Sequence, residues 1–290
     1  MCRKLALAAT ALIGASLSLV ALGSAAAATD SVPARATAAP VKPAPKPPAP
    51  EPRRKASAQE RTDAERLEPL ARAAFWAHEN NVDPTDQVAG VHLASALRAL
   101  GQYAEAASAA ERVLVVAPNN IDALLETSRA YIAQDQGFYA IEPAERVRTL
   151  APRDWRPLSL LGVAYAQVRR NDDAMTVWRQ ALVMSPDNPT VLSNMAMQLT
   201  AQGDAPQAET LLRRAVAQPG AGLQVSQDLT LVLGLQGKLS EAEHRLRVDL
   251  PPDQADADLA YLKAVSTGAA TPDPAPAPAR SWESVKSSGG

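Results

Sequence analysis

Pro84, Pro118, Pro152 and Pro186 recur at a fixed interval of 34 residues. A proline has no N–H to donate and its ring clashes with the preceding helical turn, so each one ends a helix that runs into it. Four stops in one register divide this stretch into units of equal length, each with room for two helices and two turns. The unit 155–188 shows the interior most clearly. Leu158, Leu161, Gly162 and Tyr165 recur every three or four residues, as one buried helix face requires, and Ala174, Trp178, Ala181 and Leu182 form a second such face. Between them stand Asn171, Asp172 and Asp173, with Asn171 expected to cap the second helix and the aspartates to sit at its positive end. Gly162 and Ala174 carry almost no side chain, so the helices can approach there while Tyr165 and Trp178 fill the space beside them.

Leu161-Gly162, Tyr165, Ala174, Trp178, Ala181 and Pro186 stand at the positions of the tetratricopeptide (TPR) repeat, which the unit resembles. The resemblance implies an all-α TPR solenoid. Five full repeats are expected at about 87–120, 121–154, 155–188, 189–222 and 223–252, with Asp135 in place of the turn glycine of the second. The helical pattern from about Ala58 to Asn81 reads as one lone helix capping the start, and DQADADLAYLKAV, 253–265, as a short closing helix. The repeat domain then spans 59–265. Each helix pair buries its apolar side on the next, so three or more repeats sustain one another and the terminal helices keep one polar face.

The flanks have a different composition. Residues 1–28 open with Arg3 and Lys4, continue through a long apolar run and end in Ala-x-Ala, the pattern of a secretory signal cut after Ala28 or one residue earlier. The run is also long enough for an uncleaved membrane anchor. Residues 29–58 hold eight prolines among alanines and basic residues, which predicts an extended polyproline II spacer. The segment 266–290, with TPDPAPAPAR, reads as a second Pro/Ala-rich disordered tail. Cys2 is the only cysteine and lies ahead of the apolar run, while Ser24 stands where a lipoprotein would carry cysteine. The mature chain is therefore expected to have no disulfide and no thiol.

The whole chain has a net charge of −2, but residues 1–28 contribute +2 and residues 29–58 contribute +4, which leaves −8 for everything after residue 58. A body this acidic is a poor match to nucleic-acid phosphates. A protein or peptide partner is expected instead.

Chemistry at a catalytic centre finds no support in the residues. His78, His92 and His244 lie in different units, and no two of them share a metal-ligand spacing, so no metal and no cofactor are expected. Gly220-Ala221-Gly222 follows a helix rather than a strand and reads as a turn, not a phosphate loop. The expected protein is not an enzyme, and its function lies in its surface.

In the tetratricopeptide family the first helices of successive repeats line a concave groove that takes peptides or partner helices. Carried over, that groove would comprise Val91, Ser95 and Arg98; Leu125 and Arg129; Ser159 and Val163; Asn194 and Met197; Gln227 and Leu231. Arg98, Arg129 and Asn194 are its nearest approach to the clamps by which such repeats hold a free carboxylate.

The stretch 228–265 has a more particular likeness. Leu231 to Gly237, Glu241-Ala242-Glu243, Leu250-Pro251-Pro252 and Ala260-Tyr261-Leu262 resemble the C-terminal end of TadD proteins of the tight-adherence (Flp) type IV pilus system. That resemblance implies an exported, periplasmic assembly factor associated with the outer membrane, with the pilus secretin or a neighbouring assembly component as partner. The alternative from the same architecture is a general periplasmic adaptor or chaperone without a pilus role. The oligomeric state is not legible.

Overall fold

The computed structural model describes residues 54–267. The expected signal, most of the basic spacer and the final tail lie outside the described residues. Within them the chain is all-helical: α1 (Ala58–Ala64), α2 (Pro69–Val82), α3 (Gln87–Ala99), α4 (Tyr103–Val116), α5 (Ile121–Ala133), α6 (Gly137–Leu150), α7 (Arg156–Gln167), α8 (Asn171–Met184), α9 (Pro189–Ala201), α10 (Ala205–Val216), α11 (Leu223–Leu235), α12 (Leu239–Asp249) and α13 (Pro252–Thr267). Five helix pairs, α3–α4 through α11–α12, fall on the five expected repeats.

The 34-residue register runs deeper than the prolines. Pro69, Tyr103, Gly137, Asn171, Ala205 and Leu239 each open a helix, all at this spacing. The helix α2 is therefore the second helix of a sixth, leading pair, and α1 is the shortened remnant of its first helix. The single capping helix expected over 58–81 is in fact these two. They are separated by Glu65–Glu68, because Pro69 occupies the first position of α2, where proline starts a helix rather than continuing one.

Caps and turns repeat at the same interval. The side chains of Asp86, Asn120, Asp154 and Asn188 accept hydrogen bonds from backbone N–H groups at the starts of α3, α5, α7 and α9. Gly222 holds the fifth such place and has no side chain to do so. Within each of the five full pairs the turn closes by backbone bonds in a Schellman arrangement. At the first, Gly101 N–H donates to the Arg98 carbonyl (3.0 Å) and Gln102 N–H to that of Leu97 (3.0 Å). The left-handed residue of these turns is Gly101, Asp135, Arg169, Gly203 and Gly237 in order.

This geometry corrects the reading of Asn171. It is the first helical residue of α8, and the capping position falls to Arg170, which makes no side-chain cap. The Schellman turn runs straight into the next helix, so the cap must come from the residue that closes the turn, and an arginine there has no acceptor to offer; Asp204, at the same place in the next pair, does accept from Gln207 N–H at 3.1 Å. Asp173 does sit in the first turn and accepts from Arg170 Nε at 2.7 Å.

Arg169 carries the cost of the left-handed turn without glycine's freedom, at φ 62°. A branched-at-Cβ or long side chain there costs about 1–2 kcal/mol, while glycine gives back roughly 0.5–1 kcal/mol through a freer unfolded chain. The variant R169G is expected to be more stable by about 0.5–1 kcal/mol, read as a higher denaturant midpoint at unchanged slope.

The core is segmented along the stack. One cluster joins α9 to α13 through Leu192, Leu212, Leu229, Leu233, Leu246, Leu259 and Leu262. A second joins α6 to α9 through Leu158, Leu161, Trp178, Val191 and Met195, and smaller clusters lie towards the start. The first helices of the pairs touch in sequence, α3 on α5, α5 on α7, α7 on α9, α9 on α11 and α11 on α13, whereas the second helices meet those inner helices rather than one another. The first helices are thus the inner row of the stack.

One junction is looser. Backbone packing of α8 on α9 is much sparser than that of α4 on α5 or α6 on α7. Trp178 stands on α8 where the first two pairs have Ala110 and Ala144, and a side chain of that size holds the neighbouring backbone away.

At the leading end, polarity replaces the apolar core. Glu79 is buried at 1% exposure, in the place that Val113 and Val147 take in later pairs. It accepts from Arg61 Nε (2.9 Å), from a second Arg61 nitrogen (2.6 Å) and from Ala56 N–H (2.9 Å). Arg61 also reaches Asp86 at 2.7 Å, Lys55 pairs with Asp83 at 2.5 Å, and Ser57 with Glu60 forms a capping box on α1. Residues 55–57, expected at the end of the spacer, are thereby tied to the body.

Candidate partner-binding clefts

The eleven groove residues all lie on the inner row: Val91, Ser95 and Arg98 on α3, Leu125 and Arg129 on α5, Ser159 and Val163 on α7, Asn194 and Met197 on α9, Gln227 and Leu231 on α11. They do not share one environment. Ser95, Arg129, Val163, Met197 and Leu231, again 34 apart, are all half-buried and form one continuous accessible row. The row containing Val91, Leu125, Ser159 and Gln227 turns inward at its centre. Leu125 is fully buried with Leu124 and Val147, and Ser159 is buried while its carbonyl accepts Trp178 Nε1 at 3.1 Å. These two present no surface to a partner, because an inner helix in mid-stack is flanked on both sides and its rims are covered.

The arginines are already engaged. Arg98 Nε donates to Glu126 at 2.9 Å and Arg129 donates to the other oxygen of the same carboxylate at 2.6 Å, with Glu126 buried. One carboxylate shared by two guanidiniums takes up donors that a bound free carboxylate would need and offsets one of their two positive charges. Nearby, burial works against ionisation of Asp154, but the Arg156 guanidinium and backbone N–H prevail and hold its carboxyl below the usual range.

Two clefts open on the inner row. The first, about 310 Å³, lies at the loose α8–α9 junction and is lined by Val163, Ala166 and Gln167 of α7, Trp178 of α8, and Asn194, Met197 and Gln198 of α9. Apolar Val163 and Met197 face each other's neighbourhood across three side-chain amides, a combination that can bury an aliphatic residue and hydrogen-bond a peptide backbone. The second, about 320 Å³, is lined by Gln227, Thr230 and Leu231 of α11, Leu246 of α12, and Asp258, Tyr261 and Leu262 of α13. Val163, Asn194 and Met197 are brought together in one cleft and Gln227 with Leu231 in the other. Val91, Ser95, Arg98 and Arg129 line neither.

A third depression was not expected from the sequence. It lies on the outer side, between α4 and α6, has a volume of about 570 Å³, and is walled by Tyr131, Phe138 and Tyr139. The hint was Phe138-Tyr139, adjacent aromatics opening a helix in a chain with two phenylalanines and five tyrosines. The Tyr131 hydroxyl donates to Glu111, which with burial pushes its ionisation up to about 12.

Of the histidines, His92 is half-buried, stacked on Trp76 with ring centroids 4.4 Å apart, and its Nδ1 lies 2.8 Å from Glu65. Among the described residues no group of three or more His, Cys, Asp or Glu side chains could hold a metal ion, and no helix is long and apolar enough to cross a membrane.

Comparison with known proteins agrees with this architecture. A tetratricopeptide repeat family model matches residues 89–120, the first full pair. An uncharacterized protein of Sinorhizobium fredii, y4yS, is 29% identical over 111 residues, covering 38% of this chain and 60% of that relative. Among solved structures, a thermophilic TPR protein of Thermus thermophilus matches with a TM-score of 0.54 at 22% identity, over 60% of this chain and 94% of its own. A tetratricopeptide repeat protein of Parabacteroides merdae matches with a TM-score of 0.53 at 14% identity, over 71% and 82%. The described residues form a tetratricopeptide-repeat solenoid, an architecture that typically serves as a non-enzymatic scaffold for protein partners.

Proposed function

We propose that this protein is an exported, periplasmic assembly scaffold for a tight-adherence (Flp) pilus, holding a segment of the secretin or of a neighbouring assembly component along its inner helix row. The observation that carries the binding role is the row Ser95, Arg129, Val163, Met197 and Leu231, which remains accessible in every full repeat and opens into the two clefts at Val163, Met197 and Leu231. Support for the pilus role comes from the sequence likeness over 228–265. That stretch builds α11 to α13, and its Leu231, Tyr261 and Leu262 all line the second cleft.

The test is the amount of detergent-resistant secretin multimers in cells with and without the gene. Multimers should disappear without it and return with the wild-type copy. A copy carrying N194A and M197A together should restore them at least tenfold less well, since truncating two central contacts removes about 1 kcal/mol or more of binding each. Its melting should stay within about 0.5 kcal/mol of wild type, because both positions are partly exposed. Unchanged multimers and normal pili in the deletion strain would end the pilus reading and leave a general periplasmic adaptor.

A further inference from the structure

Phe138 and Tyr139 are 72% and 60% exposed, although each could bury a large apolar area. The fold does not use them. They continue a ladder of rings with Tyr131: the Tyr131–Tyr139 centroids are 5.6 Å apart and tilted by 35°, and the Phe138–Tyr139 centroids are 5.6 Å apart and nearly perpendicular. A polyproline II chain advances about 3.1 Å per residue with three residues per turn, so prolines two apart stand about 6 Å apart along the axis on adjacent faces, and rings inclined to one another, as these are, can meet both. Such a chain is preformed and meets an aromatic groove at little entropic cost.

The same groove is acidic. Glu111 accepts the Tyr131 hydroxyl and pairs with no cation among the described residues. Glu142, on the opposite wall, has only Arg146 at 3.5 Å, and Arg146 is turned towards the Pro118 carbonyl at 2.6 Å. Arg170 at one end is balanced by Asp173 at 2.7 Å. Pro143 adds a further acceptor: lacking an N–H, it cannot donate to the Tyr139 carbonyl one turn earlier in α6. Rings for prolines and unbalanced acceptors for cations occur side by side.

We propose that the outer groove between α4 and α6 binds a basic, proline-rich segment of a partner protein in the polyproline II conformation, with prolines on Tyr131, Phe138 and Tyr139 and lysine or arginine on Glu111 and Glu142. This site is separate from the inner clefts and does not depend on them.

The test uses the full chain and a labelled dodecapeptide of three Lys-Pro-Ala-Pro units, followed by fluorescence anisotropy. Two control peptides replace the prolines by alanine or the lysines by glutamate. The Lys-Pro peptide should bind and both controls should bind at least tenfold more weakly. F138A and Y139A should each lose tenfold or more, with unchanged circular dichroism melts because both rings are exposed. N194A/M197A should bind the peptide as wild type does, so failure of the inner-cleft reading would leave this result untouched. Equal binding of the alanine control, wild-type affinity in F138A and Y139A, or no binding at millimolar peptide would each overturn the proposal.

Discussion

Replacing Gly162 with alanine is expected to destabilise the protein by at least about 1–3 kcal/mol, the usual cost of overpacking a tight core. A Cβ placed on Gly162 would lie 2.1 Å from Trp178 Nε1 and 2.3 Å from Cε2, far inside any real contact. The indole is 2% exposed and its N–H is committed to the Ser159 carbonyl, so a retreat towards the cleft it lines would break that hydrogen bond. The next pair shows the other solution to the same space, with Ala196 facing Leu212 where this one has Gly162 facing Trp178. G162A with W178L transfers that solution, and the double variant should recover most of the loss. Denaturant midpoints for the two single variants and the double variant give the coupling directly. Simple additivity of the two single effects would show that the glycine and the indole are not matched to each other.

R61A is expected to have the other large effect, about 3–5 kcal/mol, the usual cost of leaving a buried charge without its partner. Glu79 would keep only the Ala56 N–H, and Asp86 would lose the guanidinium that holds its ionisation down against the cost of burial. Because each pair touches only its neighbours, the loss should stay local. Amide exchange should accelerate across α1 and α2 while α9 to α13 keep their protection. R61L with E79V places the valine of the later pairs at this position and should restore protection. Uniform loss of protection over the whole stack would contradict a segmented core.

The repeat period was legible because a proline after each outer helix is a strong local stop, and the five full pairs follow from it. The leading pair was not legible, because its chemistry had been exchanged. Glu60 stands where Ala94, Ser128 and Gly162 stand in later pairs, and Glu79 where Val113 and Val147 stand, so the apolar pattern is missing although the spacing persists. Pro69 was the available signal and marks a helix start rather than an interior. The groove residues show a different limit. Helical spacing identifies which face of an inner helix points away from its own partner, but not how far the preceding and following pairs cover that face. This is why Val163 and Met197 open onto a cleft while Leu125 and Ser159 are closed over. The outer aromatic groove lies outside the repeat pattern altogether, since no other pair carries rings where Phe138 and Tyr139 stand.

The sparse junction between α8 and α9 has a mechanical consequence. Where the backbones stand apart, the blocks on either side, residues up to Met184 and residues from Pro189 onward, are joined through side chains, with Trp178, Val191 and Met195 in one core cluster across the joint. The first cleft spans that joint, with Val163 on one block and Met197 on the other. A segment seated there would touch both blocks at once and act as a splint across the joint.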